Sequence, residues 1–219
     1  MWLTRSAAMW DVHWRIGGTA GTELQSDRCT KNPSVEAAAN TTCIGAFLLL
    51  HVTTEGSLYM ENNWGWVADH ELDLADHNQI NIYNGRGALI ESKAGVWMYG
   101  TAFEHSTLYN YNIANANDVY MSVIQSETAC VFSPIRVANT ITDDTFYSYM
   151  QDNPNSLDPF PPNSAYTDPD FSNCFQAICY KTYGLRIANS NNVLNYGAGL
   201  YSFFNNERDS FYLHFKLQG

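Results

Sequence analysis

Glu104 and Glu127 each close an apolar-rich stretch, "GVWMYGTAFEH" (Gly95 to His105) and "DVYMSVIQSET" (Asp118 to Thr128). The stretches align without a gap: Val96 falls on Val119, Met98 on Met121 and Glu104 on Glu127. If both are strands in successive coils, the two carboxylates stack about 4.7–4.9 Å apart. Like charges that close in low dielectric raise the pKa of one of them. Aligning Leu58 and Val193 with Val96 extends the column to Trp66, Glu104, Glu127 and Tyr201. Acid and base groups between flat aromatic faces suit a carbohydrate. The competing reading is a solvated outer column with incidental aromatics, because carboxylate pairs with perturbed pKa values also occur for purely structural reasons.

Such a column needs repeating elements to position it. Ile90 precedes Val96 by the same six residues that separate Ile113 from Val119, and the step recurs in "VTTEGSL" (Val52, Leu58) and "IANSNNV" (Ile187, Val193). Each copy reads apolar, four mostly small or polar residues, a Gly, Ser, Asp or Asn, then apolar. Internal repetition near 23 residues suggests a solenoid of short coils. "LYMENNWGW", "INIYNGRGALIES", "VWMYGTAF", "LYNYNI", "VYMSVI" and "LNYGAGLYSFF" have the Tyr, Trp, Val and Ile content of strands. Asn and Gly between them supply left-handed turns. No stretch carries a long 3.6-residue apolar period with caps, so few helices are expected. The expected fold is all-β, a right-handed parallel β-helix, with Val96 over Val119 and Ile90 over Ile113.

Composition narrows the function. The 219 residues are 14% aromatic and only 15% charged, which argues against disorder. A net charge of −11 with no Lys/Arg cluster argues against a nucleic-acid partner. The longest apolar run, "CIGAFLLLHV", is shorter than a membrane span and reads as a buried strand. Cys29 with Cys43 and Cys174 with Cys179 flank two loops; they pair as disulfides leaving Cys130 free, or remain buried thiols. Asn40 of "NTT" is a glycosylation sequon inside the Cys29–Cys43 loop. "MWLTRSAAMWDVHW" lacks the apolar core of a secretory leader.

Along the chain, residues 1–28 read as a strand followed by a Gly-rich turn, and "GGTAG" lacks the Lys-Ser/Thr of a phosphate loop. The clearest coils occupy residues 44–129. "DHELDLADHNQ" (Asp69 to Gln79) reads as a solvated insertion, since its acids and histidines show no metal-ligand spacing. Residues 131–183 form a long loop insertion rich in proline, the kind that is functional or covers a surface.

"WDVHWRIGG", "ENNWGWVADHELD", "GRGALIES", "YGTAFEHSTLYNYN", "IQSET" and "YGLRIANSNNVLNYGAGLYSFFNN" together resemble glycoside hydrolase family 55, in the family's order, over residues 9 to about 206. The resemblance implies a secreted fungal β-1,3-glucanase, chiefly exo-acting and inverting, with two tandem pectate-lyase-like β-helix domains and an active site between them. It matches Glu127 to the general acid, Glu104 to the carboxylate beside the attacking water, and Trp64 and Trp66 to the glucose pocket. It implies no cofactor and no metal. The partners it implies are β-1,3-glucan and a first, N-terminal β-helix domain. Residues 1–205 are then part of the C-terminal domain, and 206–219 an atypical tail. Cys130 stands where the family has an aromatic stretch. Two readings follow: a glucanase half-site, which alone hydrolyses negligibly, or a catalytically inactive glucan-binding or structural β-helix. A polysaccharide lyase or galacturonase is the weaker third, because its acid clusters with Arg or Lys are missing.

Overall fold

The structure, a computed structural model, describes residues 5–31, 40–127, 160–169 and 182–201. Cys130, Cys174, Cys179, the tail and most of the 131–183 insertion lie outside the described residues. Within them there is no α-helix. The chain runs through β1 (Arg5–Trp10), β2 (His13–Ile16), β3 (Ile44–Val52), β4 (Gly56–Glu61), β5 (Trp64–Val67) and β6 (Tyr83–Ile90). It continues through β7 (Val96–Tyr99), β8 (Ala102–Glu104), β9 (Tyr109–Ala114), β10 (Asn117–Glu127), β11 (Tyr183–Ala188) and β12 (Asn191–Tyr201). Single 3-10 turns stand at Thr41–Cys43 and Ser164–Tyr166.

All ladders between these strands are parallel. One strongly curled sheet has the order β1-β4-β7-β10-β8-β5-β2, with β12 also paired to β10, and a second has β11-β9-β6-β3. The six-residue step is visible as two apolar columns. Val52, Ile90, Ile113 and Ile187 stack in the second sheet. Leu58, Val96, Val119 and Val193 stack in the first. Met60, Met98 and Met121 stack beside them, each fully buried. Each strand thus buries its inward residues against those of the next, where about 0.8 kcal/mol accrues per buried methylene.

The residues between the columns explain the Gly, Asp or Asn of the pattern. Gly95, Asp118 and Asn192, each just before the apolar residue, have φ of 91°, 58° and 53°. Gly, Asp and Asn reach this left-handed region at the least cost. Asn192 donates to the Asp118 carboxylate at 2.6 Å, tying one turn to the next.

A second corner bends the first sheet between its two facets. Asp11, Asn62, Gly100, Val123 and Gly197 occupy equivalent positions there, all with positive φ. The first of these corners splits the single strand expected at the start of the chain into β1 and β2. Val123 is the misfit, a β-branched residue at φ 55° and 69% exposed. Such strain costs about 1–3 kcal/mol, and an exposed side chain returns little of it. Val123→Gly is therefore expected to stabilise the fold by about 1 kcal/mol, allowing for glycine's larger unfolded-state entropy. A denaturant midpoint that falls would show the corner to be unstrained.

Cys29 and Cys43 are joined by a disulfide across 14 residues of sequence, a closure of the size that stabilises by about 3 kcal/mol. The Asp69–Gln79 insertion is not wholly solvated as the sequence suggests. Glu71 is fully buried and accepts from the Ser26 amide at 2.7 Å and its hydroxyl at 3.0 Å. These hydrogen bonds anchor the insertion on the turn at Ser26. Residues 160–169 lie against the second sheet, where Asn112 and Arg186 both donate to the Thr167 carbonyl at 3.1 Å.

Candidate functional site

The curl of the first sheet brings two columns of side chains together. One runs Arg15, Trp66, Glu104, and continues through Glu127 to Tyr201. The step from Glu104 to Glu127 follows from Gln125 pairing with Ala102 and from the His105 amide donating to the Glu127 carbonyl at 3.0 Å. The neighbouring column runs His13, Trp64, Ala102, Gln125 and Gly199.

Ala102 carries only a methyl group, so Trp64 and Gln125 reach Glu104 from either side of it. The Trp64 indole Nε1 donates to Glu104 Oε2 at 2.7 Å, and the Gln125 amide donates to Oε1 at 2.9 Å. The same amide nitrogen stands 3.3 Å from Glu127 Oε1, bridging the two carboxylates. Glu104 is 3% exposed. Burial pushes its pKa up, opposed by the Trp64 bond and reinforced by the Glu127 charge.

Glu127 is half-buried and faces His105, whose Nε2 lies 3.6 Å from Glu127 Oε2. That is too long for a hydrogen bond, and Nε2 is otherwise unpartnered. The other ring nitrogen, Nδ1, lies 2.7 Å from the Val67 carbonyl and so carries the proton of that bond. Burial disfavours charge on His105, but Glu127, Asp69, the Val67 carbonyl and Glu104 outweigh it, and its pKa is raised.

These groups open on a cavity of about 390 Å³ lined by Trp64, Trp66, Asp69, His70, Leu72, Ala102, Glu104, His105, Gln125 and Glu127. Trp64 and Trp66 stack at 5.2 Å, with only Trp64 half-exposed. Trp66 is buried beneath His70, whose ring meets it edge-on at 5.3 Å. Trp64 is therefore the ring able to face a ligand. Tyr201 pairs with Glu127 in register, but its ring turns back over Gly199 and is not among the cavity's lining. Asn40 caps the 3-10 turn, exposed and remote from the cavity, with its Oδ1 accepting from the Thr42 hydroxyl at 2.8 Å. Among the described residues, no three His, Cys, Asp or Glu side chains form a metal-ligand set.

His105 and Gln125 escape a reading that follows apolar registers alone. Gln125 lies two residues before Glu127 and so on the same strand face. That alternation was the signal available in the sequence. His105 sits at φ 65° at the end of β8, so no strand periodicity governs where it points.

A curled parallel sheet thus presents two carboxylates, two tryptophans and a histidine around one cavity. No protein-family model matches the chain. It is 55% identical, over 92% of its length, to a probable glucan endo-1,3-beta-glucosidase of Arthroderma benhamiae. It is 39% identical, over 91% of its length, to a glucan 1,3-beta-glucosidase of Cochliobolus carbonum. It is also 43% identical, over 86% of its length, to the non-secreted LysM effector LysM15 of Penicillium expansum. The chain spans 21%, 22% and 12% of those three proteins, respectively. The matched region is thus a fraction of each relative's own length.

Proposed function

We propose that this chain carries the catalytic carboxylate pair of an inverting β-1,3-glucan hydrolase of the glycoside hydrolase family 55 type, completed by further chain. Its curled parallel sheets are the coils of a right-handed β-helix. The observation that carries the reading is the Glu104–Gln125–Glu127 bridge beside Trp64, with the 39% and 55% identical relatives named as glucosidases.

Each carboxylate is fitted to one role. Glu104 accepts through both oxygens and is fixed in place, and its raised pKa makes its ionised form a stronger base than an ordinary carboxylate. It orients and deprotonates the attacking water. Glu127 is half-exposed at the cavity, where its carboxyl group is placed to deliver a proton to the glycosidic oxygen. A water on the opposite sugar face requires carboxyl groups about 6.5–9.5 Å apart. One amide nitrogen bridges the pair more closely than that, so Glu127 turns outward when sugar enters. Trp64 offers the stacking face.

Laminarin treated with the full product of the gene should first release the α-anomer, as read by proton NMR. A β-anomer would overturn inversion. The disulfide at Cys29 and Cys43 supports a secreted protein.

One relative is named an effector rather than a glucosidase, which favours a second reading, a glycan-binding protein without turnover. Saccharide binding with no released sugar would select it.

The electrostatics of Glu104 give a further expectation. Its folded pKa lies above the 4.5 of a free glutamate. The folded state therefore holds this proton more tightly, and the associated stability is present below the unfolded pKa and lost as pH rises through the folded value. Glu104→Gln removes that loss. The variant's stability relative to the parent should rise as pH climbs above the 4.5 of a free glutamate, measured by urea midpoints. A difference that does not change with pH would mean that Glu104 titrates as if exposed.

A further inference from the structure

The outer face of the other facet of the curled sheet carries a line of aromatic rings that the carboxylate site does not use. Trp10, Tyr59, Tyr99, Tyr120 and Tyr196 follow one another across β1, β4, β7, β10 and β12 at centroid distances of 5.7, 5.6, 5.1 and 5.5 Å. Successive rings are tilted by 31–41°, and the three between the ends, Tyr59, Tyr99 and Tyr120, are half-buried. Trp10 is 57% exposed and Tyr196 60%, and Trp97 beside the line is 41% exposed. The inward positions between them are the buried methionines, so the core does not require these rings.

We propose that this face is a saccharide-binding platform for an extended, neutral polysaccharide chain. Each of the five strands contributes one ring, alternating between two registers two residues apart, so a chain lying across the strands meets a ring at each step of about 4.7–4.9 Å. Pyranose rings present apolar C–H faces to such rings and hydroxyls at their edges. Tyrosine answers both, with an apolar body and a hydrogen-bonding tip. Glu61, which accepts from the Tyr59 hydroxyl at 2.7 Å, adds an acceptor for sugar hydroxyls at the rim. The line contains no Lys or Arg, and the net charge is −11, so a polyanion is disfavoured.

The placement also serves the neighbouring cavity. β10 carries Tyr120 on the platform and Glu127 at the cavity, with the Val123 corner between them. A polysaccharide held on the platform is kept beside the carboxylates without occupying them. Naming the polysaccharide as β-1,3-glucan rests on the proposed function; the saccharide class does not.

The test is retention of the 219-residue chain on insoluble β-1,3-glucan and on cellulose, with laminarin titrations followed by tryptophan fluorescence. Parent protein should be retained, and Trp10→Ala/Tyr99→Ala/Tyr196→Ala should weaken binding about tenfold or more. Trp10→Phe/Tyr99→Phe/Tyr196→Phe should restore most of it, whereas a ladder that only stabilises the sheet would change thermal stability and leave retention untouched. Tyr196→Ala alone, at the most exposed ring, keeps the test open if the triple variant does not fold. Retention on cellulose in place of β-1,3-glucan supports the platform and overturns only the choice of glucan. No retention on either polymer overturns the proposal, as does retention equal in parent and folded ring variants. A dimer that dissociates on ring removal without saccharide binding would assign the face to a second copy and overturn it as well. Binding with no released sugar leaves the platform standing and does not bear on the proposed hydrolysis, which is assigned to this chain completed by further chain.

Discussion

Glu127→Gln is expected to slow laminarin hydrolysis by the complete protein about 10²–10⁴-fold, the usual contribution of general acid catalysis. Glutamine keeps the size of the side chain and its contact with the Gln125 amide, so the cavity survives while the transferable proton is lost. The leaving group is a sugar hydroxyl of the remaining glucan chain, a poor one that departs only as its oxygen is protonated. An aryl β-glucoside with an activated leaving group needs little protonation and should lose far less. Equal losses on the two substrates would remove Glu127 from the acid role. Equal losses would also turn attention to Glu104, since burial already favours its protonated form. The imidazole of His105 supplies an internal check. With Glu127 neutralised, His105 loses a charge that raises its pKa, so its NMR titration midpoint should fall.

Much of this site was legible because registers in a parallel sheet propagate. Once Val96 is set over Val119, the positions of Glu104 beside Glu127 and of Trp66 beside Glu104 follow by counting, and the ladders place them so. The turn residues were equally legible, because left-handed backbone at Gly95, Asp118 and Asn192 selects a short list of residue types. Register says which residues are neighbours, not which way a side chain leans. Tyr201 holds its expected place next to Glu127 but folds over Gly199, because a glycine leaves room for a ring. Trp66 holds its place and is sealed from solvent by the Asp69–Gln79 insertion, whose packing depends on Glu71 being buried. An acid-rich segment gives no sign that one of its carboxylates faces inward. Nor does an apolar pattern report contacts between segments that share no repeat. The ion pair that fastens residues 160–169 to the second sheet joins positions 82 apart in sequence.

Asp168→Ala should be the most destabilising single change at that fastening, costing about 3–5 kcal/mol. Arg86 is fully buried, and its side chain and that of Asp168 are both sealed from solvent. Arg86 Nε donates to Asp168 Oδ1 at 2.9 Å and its Nη2 to Oδ2, a fork matched to the carboxylate. The Asn163 amide also donates to Oδ2 at 2.7 Å, tying the 160–169 segment to the same acid. The guanidinium lies 4.2 Å from the Phe47 ring centroid and 5.3 Å from that of Tyr166, contacts that favour the cation but cannot replace an anion. Its Nη1 already has no hydrogen-bond partner. Removing Asp168 leaves a desolvated charge with nothing to balance it. Since a domain of this kind is stable by only about 5–15 kcal/mol, the variant should sit near the edge of folding. Asp168→Asn should fall in between, keeping the shape and one acceptor while losing the charge. Arg86→Met with Asp168→Leu should be far milder than Asp168→Ala, because both charges go and apolar groups take their volume. Urea unfolding of the four proteins measures these differences, and a cost below about 1 kcal/mol for Asp168→Ala would mean that water reaches the guanidinium. The hydrolytic and stability effects act on opposite sheets, so Asp168→Asn should leave the saccharide affinity of the folded fraction unchanged.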